Sequence, residues 1–150
     1  MSSQGNPTYL PEGLPIPVAE PDGLSAPYWA GLHENRLMVL RCSYRGTWRF
    51  RPEWVCHHCH AFDPEWTETA SHGRVFSRER VWHPSHAALS SMVRISPCVW
   101  RSRTPAACGM VGNLPGDAMQ AVSIGAYVEG VFEHHPRTDA PYSLLHRQIP

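Results

Sequence analysis

Cys42-Ser43-Tyr44-Arg45 and Cys56-His57-His58-Cys59 are the residues of this chain with the clearest claim on chemistry. A C-x2-C knuckle is a short turn that aims two sulfurs at one point, and two knuckles together offer four thiolates to a tetrahedral zinc ion. The second knuckle is complete. The first has an arginine where the fourth thiolate should stand, although Gly46 follows at the place where such a turn closes. The stretch from Arg41 to His60 is therefore expected to keep the shape of a ribbon, with Cys42, Cys56 and Cys59 as metal ligands and the fourth ligand missing at Arg45. Two readings follow. In one, zinc sits on three thiolates and recruits His57, His58 or His60, against the geometry of a knuckle that already aims two groups. In the other, a metal-free ribbon is held by the packing of Trp48, Phe50, Trp54 and Trp66.

The remaining reactive side chains form no comparable pattern. His83 and His86 have the spacing of an acid–base pair and Cys98 or Cys108 could serve as a nucleophile, but no carboxylate accompanies them; they read as loop or surface residues. His134-His135 precede Pro136 and read as a solvated turn after a strand. All 13 basic residues are arginine, which excludes Schiff-base chemistry by a lysine of this chain. Thirteen acidic residues balance them, so no net field draws the chain to nucleic acid or to an anionic membrane.

Elements must position these residues, and 150 residues with 42% hydrophobic content suffice for one ordinary domain or two very small ones. Fifteen prolines and 11 glycines predict short elements joined by many turns. Residues 1–22 are proline-rich and aperiodic, an extended or disordered arm. Ser25 is placed to cap a short helix with Pro27 in its first turn and Tyr28, Trp29 and Leu32 on one side. The apolar run before Cys42 reads as a strand leading into the first knuckle. Further strands are expected at Trp66–Thr69, from Gly73 through Val75 and Phe76 to Val81 and Trp82, at Met110–Leu114 and at Tyr127–Glu133. The stretch from Met92 to Cys108 occupies the place of a central strand, yet holds Pro97, Pro105, Arg94, Arg101 and Arg103, and is expected to be a loop or an edge excursion. Five cysteines, three of them in knuckle positions, suit a reducing compartment. With no secretory pattern at the start and no apolar run of spanning length, the sequence reads as soluble and cytoplasmic.

The run from Pro27-Tyr28-Trp29 through Leu37, Cys42, Trp48, Pro52, Cys56, Cys59, Trp66, Gly73 and Val75-Phe76-Ser77 resembles the DUF35 family. The resemblance resumes at Val111-Gly112-Asn113-Leu114 and at Gly125 to Glu133. It implies a mainly β fold: a short N-terminal helix over 23–36, a rubredoxin-like zinc ribbon over 37–70 and an OB-fold-like small β-barrel over 71–150. It also implies a non-catalytic accessory subunit of a thiolase-like or lipid-transfer-protein-like enzyme acting on acyl-CoA, aldol cleavage of steroid side-chain CoA esters included, with the catalytic residues in the partner. Arg45 and the Met92–Cys108 stretch depart from the family pattern. Arg74, Arg78 and Arg80 alternate along one apparent strand, and such a row could meet the phosphates of a CoA nucleotide. With Phe76 and Trp82 nearby it could instead neutralise and stack single-stranded nucleic acid, or simply be a solvated face. The nucleic-acid-binding module is the alternative function, and the balanced charge weighs against it. The aromatic helix face of Tyr28, Trp29 and Leu32 is expected to be exposed and to mark the interface with the partner.

Overall fold

The computed structural model describes residues 13–18, 22–62, 64–90, 96–101, 109–135 and 141–150. One helix, α1 (Ala26–His33), precedes eight strands: β1 (Leu37–Cys42), β2 (Trp48–Arg49), β3 (Pro64–Thr69), β4 (Gly73–Arg78), β5 (Ser96–Arg101), β6 (Gly109–Leu114), β7 (Tyr127–His135) and β8 (Tyr142–Gln148). This is the mainly β architecture with a short N-terminal helix that the sequence implies. No helix among the described residues is long and apolar enough to cross a membrane. Most of the expected N-terminal arm lies outside the described residues; 14–18 carry no regular structure.

The helix begins after Ser25 with proline in its first turn, as expected, but Ser25 makes no side-chain capping hydrogen bond to it. Its expected aromatic face is not free. Leu32 is 1% exposed, and Tyr28 packs against the main core and lies 5.3 Å from Trp29 and 5.9 Å from Phe50. Burial against β1 and β8 takes up the side that the sequence assigns to an interface.

The first sheet has the order β2-β1-β3 and is antiparallel throughout. Its middle strand explains why alternation in the sequence is weak: β1 buries both faces. Leu37 and Val39 enter the main core, while Leu40 and Cys42 are buried on the other side. A strand covered on two faces reads as a continuous apolar run, which periodicity alone does not resolve.

The second sheet has the order β6-β5-β4-β7-β8. Its two edge strands, β6 and β8, also lie against each other, so the sheet curls toward closure. Val75, Met110, Leu114, Val122 and Val128 fill it and are continuous with Leu37 and Val39 of the first sheet. The β7–β8 ladder runs in unbroken register from Glu129↔Gln148 to His135↔Tyr142. Gly130 permits this strand to approach the β3–β4 connection closely, since a Cβ there would lie 2.6 Å from Ser71 Cβ and 2.9 Å from Ser71 O.

Three expectations need correction. Part of the Met92–Cys108 stretch is not a loop: residues 96–101 form β5, between β4 and β6. Pro97 is tolerated because the ladder to β4 stops at Arg78↔Cys98, leaving Pro97 with β6 as its one ladder neighbour. The rest of that stretch, Cys108 included, lies outside the described residues. The strand from Gly73 ends at Arg78 and does not continue to Val81 and Trp82, which are exposed. Finally, His134 and His135 are the last residues of β7, paired across the ladder with Ser143 and Tyr142, and not a solvated turn.

Candidate functional site

The two knuckles are the same turn built twice. Cys42 N–H donates to Thr47 O (2.9 Å) and Gly46 N–H to Cys42 O (2.7 Å). Cys56 N–H donates to Ala61 O (3.0 Å) and His60 N–H to Cys56 O (2.8 Å). The correspondence extends to backbone conformation: the fifth residue of each turn is left-handed, Gly46 at φ 67° and His60 at φ 60°. With arginine at position 45 the first turn still has the shape of the second, set by backbone hydrogen bonds and Gly46.

These turns bring Cys42, Cys56 and Cys59 together, with all three sulfurs within 4.8 Å of one another and Cys42 Sγ 3.5 Å from Cys59 Sγ. Cys42 and Cys56 are buried and Cys59 is half-buried. Amide N–H groups of Cys59 and His58 donate to the Cys56 sulfur and pull its pKa down to about 7, against the opposing effect of burial. Cys59 behaves differently: although the Ala61 amide favours its thiolate, burial and the neighbouring Cys42 and Cys56 sulfurs push its pKa up. A preformed cluster of thiols, one of them easily ionised, fits a soft or borderline metal ion such as zinc.

No histidine or carboxylate among the described residues joins this cluster. His57 and His58 are exposed with their rings 4.4 Å apart, and His60 forms the left-handed corner of its turn. Of the aromatic residues expected to pack the ribbon, Trp48 and Phe50 do lie on the core, with Arg41 set over the Trp48 ring at 5.3 Å. Trp54 is half-exposed and donates to Asp22 Oδ2 at 3.1 Å.

Arg74, Arg78 and Arg80 do not share one strand. A bulge between Val75 and Ser77 breaks the alternation, and Arg80 lies beyond the end of β4. Arg74 donates to Gly125 O (2.8 Å), and Arg80 donates to Ala118 O (2.9 Å) and Gln120 O (2.7 Å). Arg78 is exposed. His83 is exposed too, while His86 Nδ1 accepts from the Ala88 amide and caps a short 3-10 turn.

Two polar clusters that the sequence did not reveal lie on β7 and β8. Ser143, buried, lies 2.7 Å from His134 Nδ1 and 2.9 Å from His33 Nδ1. Asn35 Oδ1 accepts from His134 Nε2–H at 2.9 Å, which leaves Nδ1 to accept from the serine hydroxyl. This chain of bonds ties the end of α1 to the β7–β8 hairpin. On the other face, the Glu133 carboxylate lies 2.6 Å from His146 Nε2 and 2.8 Å from His135 Nε2. Burial pushes the His146 pKa down, partly opposed by Glu133. Arg147 is also buried, and burial pulls its pKa down to about 9, with Tyr28 opposing. The signal that could have found these groups is the Tyr142–Gln148 alternation, where polar residues fall on both faces and mask the strand.

A cleft of about 220 Å³ runs beside the second knuckle, lined by Trp48, Arg49, Phe50, Arg51, Glu53 and His57 and by Gly109 of the barrel. Arg49 is 3% exposed; its Nη1 donates to Glu53 O at 2.7 Å, and its Nε and Nη2 have no hydrogen-bond partner among the described residues.

A helix, a two-knuckle ribbon and a curled five-stranded sheet define a ribbon–barrel chain. No family model matches the chain. Among solved structures, a chain of the Ltp2-ChsH2(DUF35) aldolase aligns with a TM-score of 0.70 over 89% of this chain and 98% of that one, at 24% identity. A DUF35-family protein of unknown function from Sulfolobus solfataricus aligns with a TM-score of 0.57 over 85% of each chain, at 15% identity. The fold is that of the DUF35 proteins, as the sequence resemblance implies. Among curated proteins, 92 residues (61% of this chain) are 32% identical to part of a probable enoyl-CoA hydratase alpha subunit from Thermomonospora curvata. The chain covers 28% of the length of that relative.

Proposed function

We propose that the chain is a DUF35-family accessory subunit that docks on a thiolase-like or lipid-transfer-protein-like enzyme acting on acyl-CoA thioesters. The observation that carries this reading is the alignment over nearly the whole of a DUF35 chain that is itself part of an aldolase. The partial match to a probable enoyl-CoA hydratase subunit brings a CoA-thioester enzyme into the comparison. Docking needs large side chains at the surface, and the ribbon supplies them: Tyr44 is 74% and Phe62 76% exposed, and Trp54 is half-exposed. Among the described residues, Ser143 and Glu133 are buried within hydrogen-bonded clusters, and Cys42, Cys56 and Cys59 face one another.

Contacts between CoA phosphates and Arg74, Arg78 and Arg80 belong to the same proposal, with Arg78 the one not held by a backbone carbonyl of the 118–125 segment. The test is co-expression with a thiolase-like enzyme encoded beside the chain, followed by size-exclusion chromatography and acyl-CoA titration of the complex. A stable complex is expected, with acyl-CoA affinity that falls when Arg78 becomes alanine. Separate elution of the two proteins at micromolar concentration would sink the proposal.

A further inference from the structure

The equivalence of the two knuckles locates the missing corner of the metal site. Position 45 follows Cys42 by three residues, as Cys59 follows Cys56, and both turns carry the same pair of backbone hydrogen bonds. The chain thus delivers residue 45 to the place from which a fourth sulfur would reach the cluster. Arginine does not ligate there, because its guanidinium stays protonated and has no lone pair to donate. Among the described residues no histidine, carboxylate or further cysteine joins the three sulfurs.

We propose that Cys42, Cys56 and Cys59 form an open-cornered metal centre, in which a soft or borderline divalent ion takes its fourth ligand from outside the chain. The chemical class that fits the corner is a thiol, bound as thiolate with its proton released to solvent. Three protein ligands with one exchangeable position is how reactive zinc sites differ from closed structural ones. Accessibility favours it: Ser43, Tyr44 and Arg45 of the first turn are exposed, and Cys59 is the least buried of the three cysteines. Charge favours it as well. Three thiolates on a divalent ion leave one negative charge, and a fourth from outside leaves two. Arg45 puts a positive charge on the exposed first turn that carries Cys42, and a guanidinium within reach of a sulfur or an anionic ligand would offset the excess. Softness selects the donor, since a site already built from thiolates holds a soft fourth ligand better than an oxygen donor.

Cobalt provides the test, because its thiolate charge-transfer and d–d bands report the number and kind of ligands. The intact chain loaded with Co2+ should show a three-thiolate spectrum that shifts on adding millimolar 2-mercaptoethanol. Arg45→Cys should show a stronger charge-transfer band, no response to the added thiol, and metal affinity roughly a hundred-fold tighter, the share of one ligand in a four-ligand zinc site. Identical spectra from the two proteins, both silent to thiol, would mean that the chain closes its own corner and would overturn the inference. So would failure of the intact chain, folded by far-UV circular dichroism, to take up Co2+ or Zn2+ at all.

Discussion

Gly130→Ala tests the seam where β7 meets the β3–β4 connection. An added Cβ would lie 2.6 Å from Ser71 Cβ, 2.9 Å from Ser71 O and 3.0 Å from Leu145 Cδ1. The leucine methyl can rotate away. The Ser71 carbonyl cannot, because it is backbone between two strands that are each fixed in a different sheet. Overpacking of this kind costs about 1–3 kcal/mol. Alanine also lowers the entropy of the unfolded chain relative to glycine, which returns roughly 0.5–1 kcal/mol. The net loss should be about 1–2 kcal/mol, and for a chain of this size each kcal/mol moves Tm by about 2–4 °C. Differential scanning calorimetry should therefore place the variant several degrees below the parent. Gly109→Ala is the control, since a Cβ there meets nothing within 4 Å and Tm should hold or rise slightly. If both variants melt with the parent, the close approach at Ser71 does not exist and the docking of β7 described above is wrong.

Phe62→Ala should weaken the complex with a thiolase-like partner while leaving Tm of the isolated chain unchanged, whereas Trp29→Ala, which removes a ring packed on Tyr28, should lower Tm; the reverse pattern, read by pull-down and calorimetry, would return the interface to the helix. Stability should fall on acidification below about pH 6.5, because burial holds His146 below its ordinary value and the unfolded chain then binds the extra proton. His146→Gln should flatten that slope in a Tm-versus-pH series, and an unchanged slope would remove His146 as its source. Arg49→Met should leave Tm level or raised, since the guanidinium is buried with two nitrogens that have no partner among the described residues and an apolar side chain of similar length avoids that desolvation; a drop of several degrees would show that Arg49 has a partner in solution.

What could be read from the sequence is what depends on local chemistry. A knuckle is written in five consecutive residues, so Cys42, Cys56, Cys59 and the turn at Gly46 were legible without a structure, and the turns fold as the spacing predicts. The start of the helix after Ser25 and the strands around Trp66, Gly73, Met110 and Tyr127 were legible for the same reason. Properties that depend on what lies across from a residue were not. The sequence cannot say that the ladder to β4 ends one residue short of Pro97, and so it rejects a strand that the sheet tolerates. It cannot show that Arg74 and Arg80 reach the carbonyls of Gly125 and Gln120, and so it sees a row of free cations. The helix face was misjudged in the same way, because aromatic residues look exposed until β1 and β8 are laid against them. The case of Arg45 joins the two kinds of information. Sequence alone reads an incomplete zinc site, since it counts ligands; the structure shows that the first turn has the same backbone hydrogen bonds as the second. As proposed, position 45 marks the open corner of a site whose other three ligands are the clustered thiols of Cys42, Cys56 and Cys59. Its chemistry then depends on what fills the corner, and the thiol response of the cobalt-loaded chain measures that directly.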